Sequence, residues 1–282
     1  FKMKWIKTTF LLLALCGPLL AEPTVVRGSR LLDIKKSGKI KIGIQNEYRP
    51  FRIENPKPGY PGIDVELANA LGEALEVEVE ISYLPLDQLL IETNEGKLDV
   101  SLGGISSTLE RARKVNFSDP YMKTTPAGLL ARDSLPPESE SVNYARRQFK
   151  SLSDLKYLGP ITIGVRAGTA NETLLRTDPD FQKHKIKVFQ DRTIALAALE
   201  SREIDLLVAD DVYLRALLLK RPELMNRFLP LLDKYLEDHI SMAIPPGDPE
   251  LWNYLNFFIK EMIRTGRMQT IINKYFQSGA WF

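Results

Sequence analysis

Residues suited to chemistry follow the apolar runs of the chain, and the densest group lies at residues 103–114, GGISSTLERARK. Thr108 is a candidate N-cap, which would place Arg111 at the third position of a helix. A guanidinium beside the unpaired N–H groups of a helix start is electrostatically unfavourable unless an anion shares the position. We favour capture of a carboxylate by Arg111 over a solvated surface arginine, and we expect Arg111 to have a partner only when that anion is bound.

Three further apolar runs end in polar or aromatic residues. Tyr48 follows KIGI, where it either stacks on a ligand or packs within a turn. Thr169 follows TIGV and forms a capping-box pattern with Glu172, which by itself predicts only a capped helix. Asp210 and Asp211 follow LLVA, and either one could accept an ammonium group while the other caps a helix.

The elements that must position these residues alternate between strands and helices. KIKIGI, VEVEISYL and LDVSLGG predict strands, DVELANALGEAL and LDQLLIETNEGK predict helices, and STLERARK predicts the start of another helix. This βαβαβ order implies a parallel sheet flanked by helices, and it recurs in PITIGVRAGT and ALESREIDLLVADD, which predicts two similar α/β lobes. Ligands of such sheets bind beyond the C-terminal strand ends, where a guanidinium and a carboxylate would complement a zwitterion.

The start of the chain has the pattern of a secretory signal peptide at residues 1–21. Lys2, Lys4 and Lys7 precede an apolar run at residues 10–15, which is too short to span a bilayer comfortably. Removing these three lysines from the 38 basic residues leaves 35 against 36 acidic residues, a net charge of −1. This balance argues against a nucleic-acid partner, and we expect a periplasmic protein.

The composition also argues against thiol, metal and phosphate chemistry. The one cysteine, Cys16, lies in the expected signal peptide as an ordinary apolar residue or, less in keeping with the bulky Leu15 before it, as a lipoprotein cysteine. His184 and His239 are isolated in the sequence, which gives no metal-ligand spacing. No phosphate-binding glycine loop of the Walker type is present, and we expect no cofactor.

Six spaced motifs lie within residues 39–276: YRPF, PGIDVELANAL, GKLDVSLGGISSTLERARKVNFSDPY, IGVRAGTANE, REIDLLVADD and GRMQTIINKYF. In combination they resemble the extracellular solute-binding proteins of the polar amino acid family, which serve ABC importers. The resemblance implies a type II periplasmic-binding-protein fold, in which each of two lobes is a mostly parallel sheet flanked by helices and two hinge strands join the lobes. Such a protein is expected to be a monomer that partners a membrane permease.

The resemblance also implies a division of the chain. After the signal peptide and a lead-in at 22–38, lobe 1 would comprise 39–125 plus 237–282, and lobe 2 would comprise 126–236. The crossing strands are expected near residues 123–126 and 233–238.

The carboxylate end of the implied site rests on Arg111, which resembles the arginine that grips the ligand carboxylate. Ser106 and Thr169 would add hydroxyl or backbone donors. Ala170 and Asn171 depart from a stretch that usually carries donors, so the contribution of Asn171 is a specific expectation for this chain.

The amine and side-chain end rests on Asp210, which resembles the acid that binds the α-amine, with help from the backbone around Gly104. Tyr48 resembles the aromatic residue beside the ligand side chain. Gln45 stands where members that bind cationic amino acids often have an acid, which lowers the case for lysine or arginine as ligand. Leu86 stands where many members have Phe or Trp, which predicts an aliphatic clamp opposite Tyr48.

The leading interpretation is reversible capture of a small amino acid-like solute by lobe closure and its delivery to a permease. An enzyme is the first alternative, because some proteins of this fold resemble cyclohexadienyl dehydratases, and Glu172 or Asp210 could then act as general acid. Helix capping accounts for Glu172 without catalysis, so we expect a binding protein. A sensory or cell-wall-associated binding module is the second alternative.

Overall fold

The computed structural model describes residues 28–136, 149–277 and 279–282. The expected signal peptide, with Cys16, lies outside the described residues, as does the first part of the lead-in. The rest of the lead-in forms a helix, Arg30–Ser37, which Ser29 caps through its side chain. Among the described residues, no helix combines the length and apolar character that a membrane span requires.

The described residues form twelve strands, which belong to two five-stranded sheets and one two-stranded sheet. In chain order they are β1 (Lys39–Gln45), β2 (Glu78–Leu84), β3 (Val100–Leu102), β4 (Asn116–Phe117), β5 (Met122–Thr124), β6 (Pro126–Ala131), β7 (Thr162–Arg166), β8 (Lys185–Phe189), β9 (Leu206–Asp210), β10 (Phe228–Leu231), β11 (Asp238–Ile240) and β12 (Ala243–Ile244).

The two large sheets are mixed in strand direction. The first has the order β2-β1-β3-β12-β4, in which β1 runs parallel to β2 and β3, and β12 runs antiparallel to β3 and β4. The second has the order β10-β6-β9-β7-β8, in which β7 runs parallel to β8 and β9, and β6 runs antiparallel to β9 and β10. The predicted βαβαβ strands are therefore parallel, and antiparallel strands extend each sheet.

An antiparallel pair of strands connects the two large sheets. β5 precedes the second sheet in the chain and β11 follows it, and Thr124 lies opposite Asp238 in their register. This pairing brings together the two chain segments in which crossing strands are expected. The residue boundaries of the lobes, 39–125 plus 237–282 and 126–236, stay a prediction.

The helices cover the sheets on both faces. In chain order they are α1 (Arg30–Ser37), α2 (Ile63–Leu75), α3 (Leu86–Asn94), α4 (Ala170–Thr177), α5 (Arg192–Glu200), α6 (Asp211–Lys220), α7 (Leu224–Arg227), α8 (Pro249–Arg264) and α9 (Arg267–Phe276). The apolar face that periodicity predicts for α2 is buried at every position, from Val65 to Leu75. The two faces of the second sheet pack in separate clusters, one against α5 and α6 and the other against α4.

The helix predicted after β3 does not form, and this prediction is wrong. A single 3₁₀ turn at Arg111–Arg113 follows β3, before the chain enters β4. The backbone ahead of this turn is already paired elsewhere, because Ser106 forms a β-bridge with Ile240 and Ser107 N–H donates to the His239 carbonyl. One short turn has no appreciable macrodipole, so the electrostatic argument from a helix N-terminus does not apply to Arg111.

Candidate ligand-binding cleft

The end of β9 meets the loop after β1 through Asp210 and Tyr48. The buried Tyr48 hydroxyl donates to Asp210 Oδ2, and Asn171 Nδ2 donates to Asp210 Oδ1 at 2.9 Å. Burial raises the pKa of Tyr48 well above its ordinary value, and the Asp210 carboxylate raises it further. The guanidinium of Arg192 lies 3.8 Å from the centroid of the Tyr48 ring. Three predicted site residues, from both large sheets, therefore lie in contact.

The structure separates the roles of the two adjacent acids after β9. Asp211 Oδ1 accepts hydrogen bonds from Thr124 Oγ1 at 2.6 Å and Thr125 N at 3.2 Å, and Asp211 Oδ2 accepts from Arg215 Nε at 3.0 Å. Asp211 thus ties α6 to the connecting strand. Asp210 occupies the N-cap position of α6 but its side chain makes no capping hydrogen bond, so its carboxylate is directed to the cleft.

Arg111 joins the loops that follow β3 and β7. Its Nη1 donates to the Ser106 carbonyl at 2.9 Å and its Nη2 donates to the Gly168 carbonyl at 3.1 Å. The expectation that Arg111 has a partner only when the cleft is occupied is therefore wrong. Burial lowers the pKa of Arg111, and the nearby carboxylates of Asp238 and Asp210 oppose that shift. Arg111 consequently lies within electrostatic reach of the acid predicted to bind an amine.

Asp238 is a cleft residue that sequence reasoning missed. It accepts a hydrogen bond from the Ser106 hydroxyl at 2.6 Å, across 132 positions of the chain. Burial raises the pKa of Asp238, and the Asp210 carboxylate contributes to the same direction. The only signal in the sequence is its place in a segment expected to cross between the lobes. Ser106 is thus engaged by a carboxylate, and its backbone carbonyl by Arg111.

Gly104 contributes to the site through its lack of a side chain. Its φ is 59°, and its N–H donates to Asp64 Oδ2 at 3.0 Å. A Cβ at this position would lie 2.6 Å from Tyr48 Cε1 and 2.8 Å from Phe51 Cε2. Gly104 therefore lets the backbone lie directly against the Tyr48 ring.

We expect Gly104→Ala to reduce the free energy of unfolding by about 2–4 kcal/mol, measured by urea denaturation. The left-handed backbone accounts for about 1 kcal/mol, and displacement of the two aromatic rings accounts for the rest. Gly38→Ala is the matched control, because Gly38 has a φ of 67° and no atom within 4 Å of an added Cβ. Equal losses from the two substitutions would show that Gly104 packs no more tightly than a free turn.

Gln45 does not face the cleft as a free amide. It is 1% exposed, and in the amide orientation that satisfies both groups it donates to the Gly103 carbonyl at 2.8 Å and accepts from Arg166 Nη1 at 2.7 Å. Arg166, at the end of β7, is a second residue that sequence reasoning missed, although it belongs to the IGVRAGTANE motif. Its guanidinium reaches from the second sheet to the end of β1 in the first.

Thr169 caps α4, as the sequence predicts. Its hydroxyl accepts from Glu172 N at 3.3 Å and donates to the Arg166 carbonyl at 2.8 Å. Glu172 departs from the full capping box, since its Oε2 accepts from Gly168 N at 2.8 Å and its Oε1 from Arg176 Nε at 2.9 Å. Both oxygens of Glu172 are therefore engaged in local contacts.

Two cavities are lined in part by predicted site residues. The larger, about 1200 Å³, is called the Arg111 cavity here and is lined by residues that include Leu86, Arg111, Arg166, Gly168 and Thr169. The smaller, about 470 Å³, lies on the side of Tyr48 and Arg192. Leu86, the first residue of α3, also packs against a small apolar cluster built on Ile105, Val115 and Ala243. The predicted residues thus border a shared region but do not line one single cavity.

No group of three His, Cys, Asp or Glu side chains within the described ranges could hold a metal ion.

The fold and this arrangement define a two-lobed α/β protein of the type II periplasmic-binding class. Residues 40–278 match the bacterial extracellular solute-binding proteins, family 3, and the chain belongs to this family.

Three related proteins illustrate the range of the similarity. The chain is 26% identical over 240 residues to a probable histidine-binding protein of Neisseria gonorrhoeae, and the matched region covers 85% of this chain and 84% of that protein. It is 29% identical over 212 residues to a cyclohexadienyl dehydratase of Pseudomonas aeruginosa, and the matched region covers 74% of this chain and 73% of that protein. The crystal structure of the ancestral amino acid-binding protein AncCDT-1, a precursor of cyclohexadienyl dehydratase, matches with a TM-score of 0.69 at 28% identity and covers 88% of this chain and 99% of that one.

Proposed function

We propose that this protein binds a small amino acid, or a related zwitterionic or carboxylate solute, between its lobes and delivers it to an ABC importer from the periplasm. The observation that carries this proposal is the placement of Arg111. Its half-buried guanidinium is held by neutral carbonyl oxygens and lies within electrostatic reach of Asp210 and Asp238. A cation and two carboxylates at one site are the complement of an α-carboxylate and an α-ammonium group.

Binding would exchange contacts within the protein for contacts with the solute. A carboxylate would accept from Arg111 in place of the two backbone carbonyls, with Ser106 and Thr169 nearby as donors. An ammonium group would donate to Asp210, where the Tyr48 hydroxyl and the Asn171 amide now donate. Because these groups come from both large sheets, the solute would stabilise the closed arrangement of the lobes.

The proposal is tested by adding each of the twenty protein amino acids to the purified protein and measuring its melting temperature. A ligand present at a hundred times its Kd stabilises the folded state by about 2.7 kcal/mol, which is readily detected. Calorimetry on the stabilising amino acids then gives their affinities. The proposal fails if no amino acid raises the melting temperature at millimolar concentration.

Asp210→Asn is expected to weaken the best-binding amino acid by about tenfold to a hundredfold in calorimetry, because a charge-assisted hydrogen bond to the ammonium is lost. Asp211→Asn removes the same charge at the next position, where the carboxylate binds Thr124 and Arg215 instead. We expect that control to change the affinity by less than about threefold. Equal losses in both variants would contradict the assignment of the ammonium to Asp210.

Similarity to a cyclohexadienyl dehydratase makes a lyase the second candidate function. Glu172 is poorly placed as a general acid, because its carboxylate is ion-paired with Arg176 and also accepts from Gly168 N. Asp238 is the better candidate, since burial raises its pKa. Incubation with prephenate or arogenate decides between the two functions, because a lyase yields an aromatic product and a binding protein leaves either compound unchanged.

A further inference from the structure

Three arginines line the Arg111 cavity, and one of them, Arg176, is ion-paired with Glu172. The other two are Arg111 and Arg166. Burial lowers the pKa of both of these guanidinium groups, because each cation has lost part of its surrounding water. Among the described residues, neither forms an ion pair with a carboxylate. The partners of Arg111 are two backbone carbonyls, and those of Arg166 are the amide oxygen of Gln45 and the Gln190 carbonyl. Because these direct partners are neutral oxygens, carboxylates such as Asp238, Asp210 and Glu110 act on Arg111 only over longer distances, and a ligand anion can pair directly with either guanidinium.

Arg166 lines spaces beside both groups proposed to hold the solute. Besides the Arg111 cavity, it lines the narrow space beside Asp210, together with Thr169 and Asn171. An amino acid held at its carboxylate by Arg111 and at its ammonium by Asp210 therefore has its side chain within reach of Arg166.

Gln45 positions Arg166 without cancelling its charge. The amide oxygen of Gln45 accepts from Arg166 Nη1 at 2.7 Å from a buried site at the end of β1. A glutamate there would form an ion pair with the guanidinium instead. Asp191 and Glu47 act on Arg166 only over longer distances, and the nearby Arg192 adds positive charge.

We propose that Arg166 binds a second carboxylate on the ligand side chain, so that the preferred solute is an acidic amino acid. This inference rests on the proposed function and specifies its substrate class. Arg111 would bind the α-carboxylate, Asp210 the α-ammonium and Arg166 the side-chain carboxylate. Asp210 and the two guanidinium groups then match a solute that carries one positive charge and two negative charges.

The test is calorimetry with glutamate and aspartate against their uncharged amides, glutamine and asparagine. The wild-type protein is expected to bind at least one acid about tenfold to a hundredfold tighter than its amide, because the extra contact is a charge-assisted hydrogen bond. Arg166→Gln should reduce that preference to below about threefold. Arg166→Lys, which keeps the charge but loses the planar fork, should retain part of the preference.

Arg176→Gln is the matched control, since Arg176 lines the same cavity but its guanidinium is already paired with Glu172. Arg176→Gln should leave the preference for the acid over its amide unchanged. If it reduced that preference as much as Arg166→Gln does, the preference would come from the overall positive charge of the cavity rather than from a contact with Arg166, and the proposal would be overturned. Tighter wild-type binding of neutral or basic amino acids would also overturn it while leaving the proposed function intact. Absence of binding by any amino acid would remove both.

Discussion

Replacing Arg111 with glutamine is expected to weaken binding of the best-binding amino acid by about thirtyfold or more. The reason is that the ligand carboxylate would lose a partly desolvated, bidentate cation, and truncating one member of such a buried pair costs about 2–5 kcal/mol. Calorimetry at constant ionic strength measures this directly, because both the affinity and the enthalpy of the lost contact are observed.

Two further variants separate the guanidinium contact from charge and from folding. Arg113→Gln removes an exposed guanidinium from the same 3₁₀ turn and should leave the affinity within about threefold of wild type. Arg111→Lys keeps the charge but not the fork, so it should bind more weakly than wild type and more tightly than Arg111→Gln.

Because Arg111 also joins two loops through Ser106 and Gly168, its loss is expected to lower stability by about 1–3 kcal/mol. Melting temperatures of each variant identify that contribution. Wild-type affinity in a folded Arg111→Gln variant would end the assignment of the carboxylate to this residue.

Asp64→Asn is expected to flatten the pH dependence of stability. Asp64 is fully buried in α2, where its Oδ1 accepts from the Tyr121 hydroxyl at 2.8 Å and its Oδ2 from Gly104 N at 3.0 Å. Burial raises the pKa of Asp64 from 3.8 to about 7, although these hydrogen bonds oppose the shift. An asparagine can accept from Gly104 and donate to the Tyr121 oxygen, so the substitution preserves the packing.

The direction of the effect follows from proton binding. Between pH 3.8 and about 7 the folded protein holds a proton on Asp64 that the unfolded chain has released, so wild-type stability falls as the pH rises through this window. The slope from one such group is at most about 1.4 kcal/mol per pH unit. Asp64→Asn should therefore gain up to about 3 kcal/mol over wild type on going from pH 5 to pH 8.

Urea denaturation of both proteins at pH 5, 6, 7 and 8 provides the measurement. Asp87→Asn is the control for the loss of one negative charge, because Asp87 is exposed and lies in the first turn of α3, as Asp64 lies in the first turn of α2. Parallel curves for wild type and Asp64→Asn would show that another group binds the proton.

Local periodicity predicts the elements well, because the pattern of apolar residues along an element records which face is buried. The apolar spacing of α2 and the alternation of β1 to β3 with helices give the parallel core of the first sheet, and Thr169 caps α4 through a local motif. The helix expected after β3 does not form, because a distant segment of the chain pairs with its backbone. Its backbone pairs with Ile240 and the neighbouring His239, more than 130 positions away, and no local pattern records that pairing.

The candidate site, like the fold, has features that the sequence predicts and features that it does not. The residue types at the strand ends, among them Tyr48, Arg111 and Asp210, are determined by the sequence alone, since polar residues after buried strands indicate where a ligand can bind. Which of them meet is decided by tertiary structure.

Only the packing of the two sheets directs Asp210 rather than Asp211 to the cleft, brings Arg111 onto the Gly168 carbonyl and places Asp238 beside Ser106. It also brings Arg166 onto the buried amide of Gln45. The sequence by itself determined the elements and the chemical groups at their ends, because these depend on neighbouring residues. Tertiary structure decided the contacts, because each joins residues from distant parts of the chain whose separation depends on how the sheets pack.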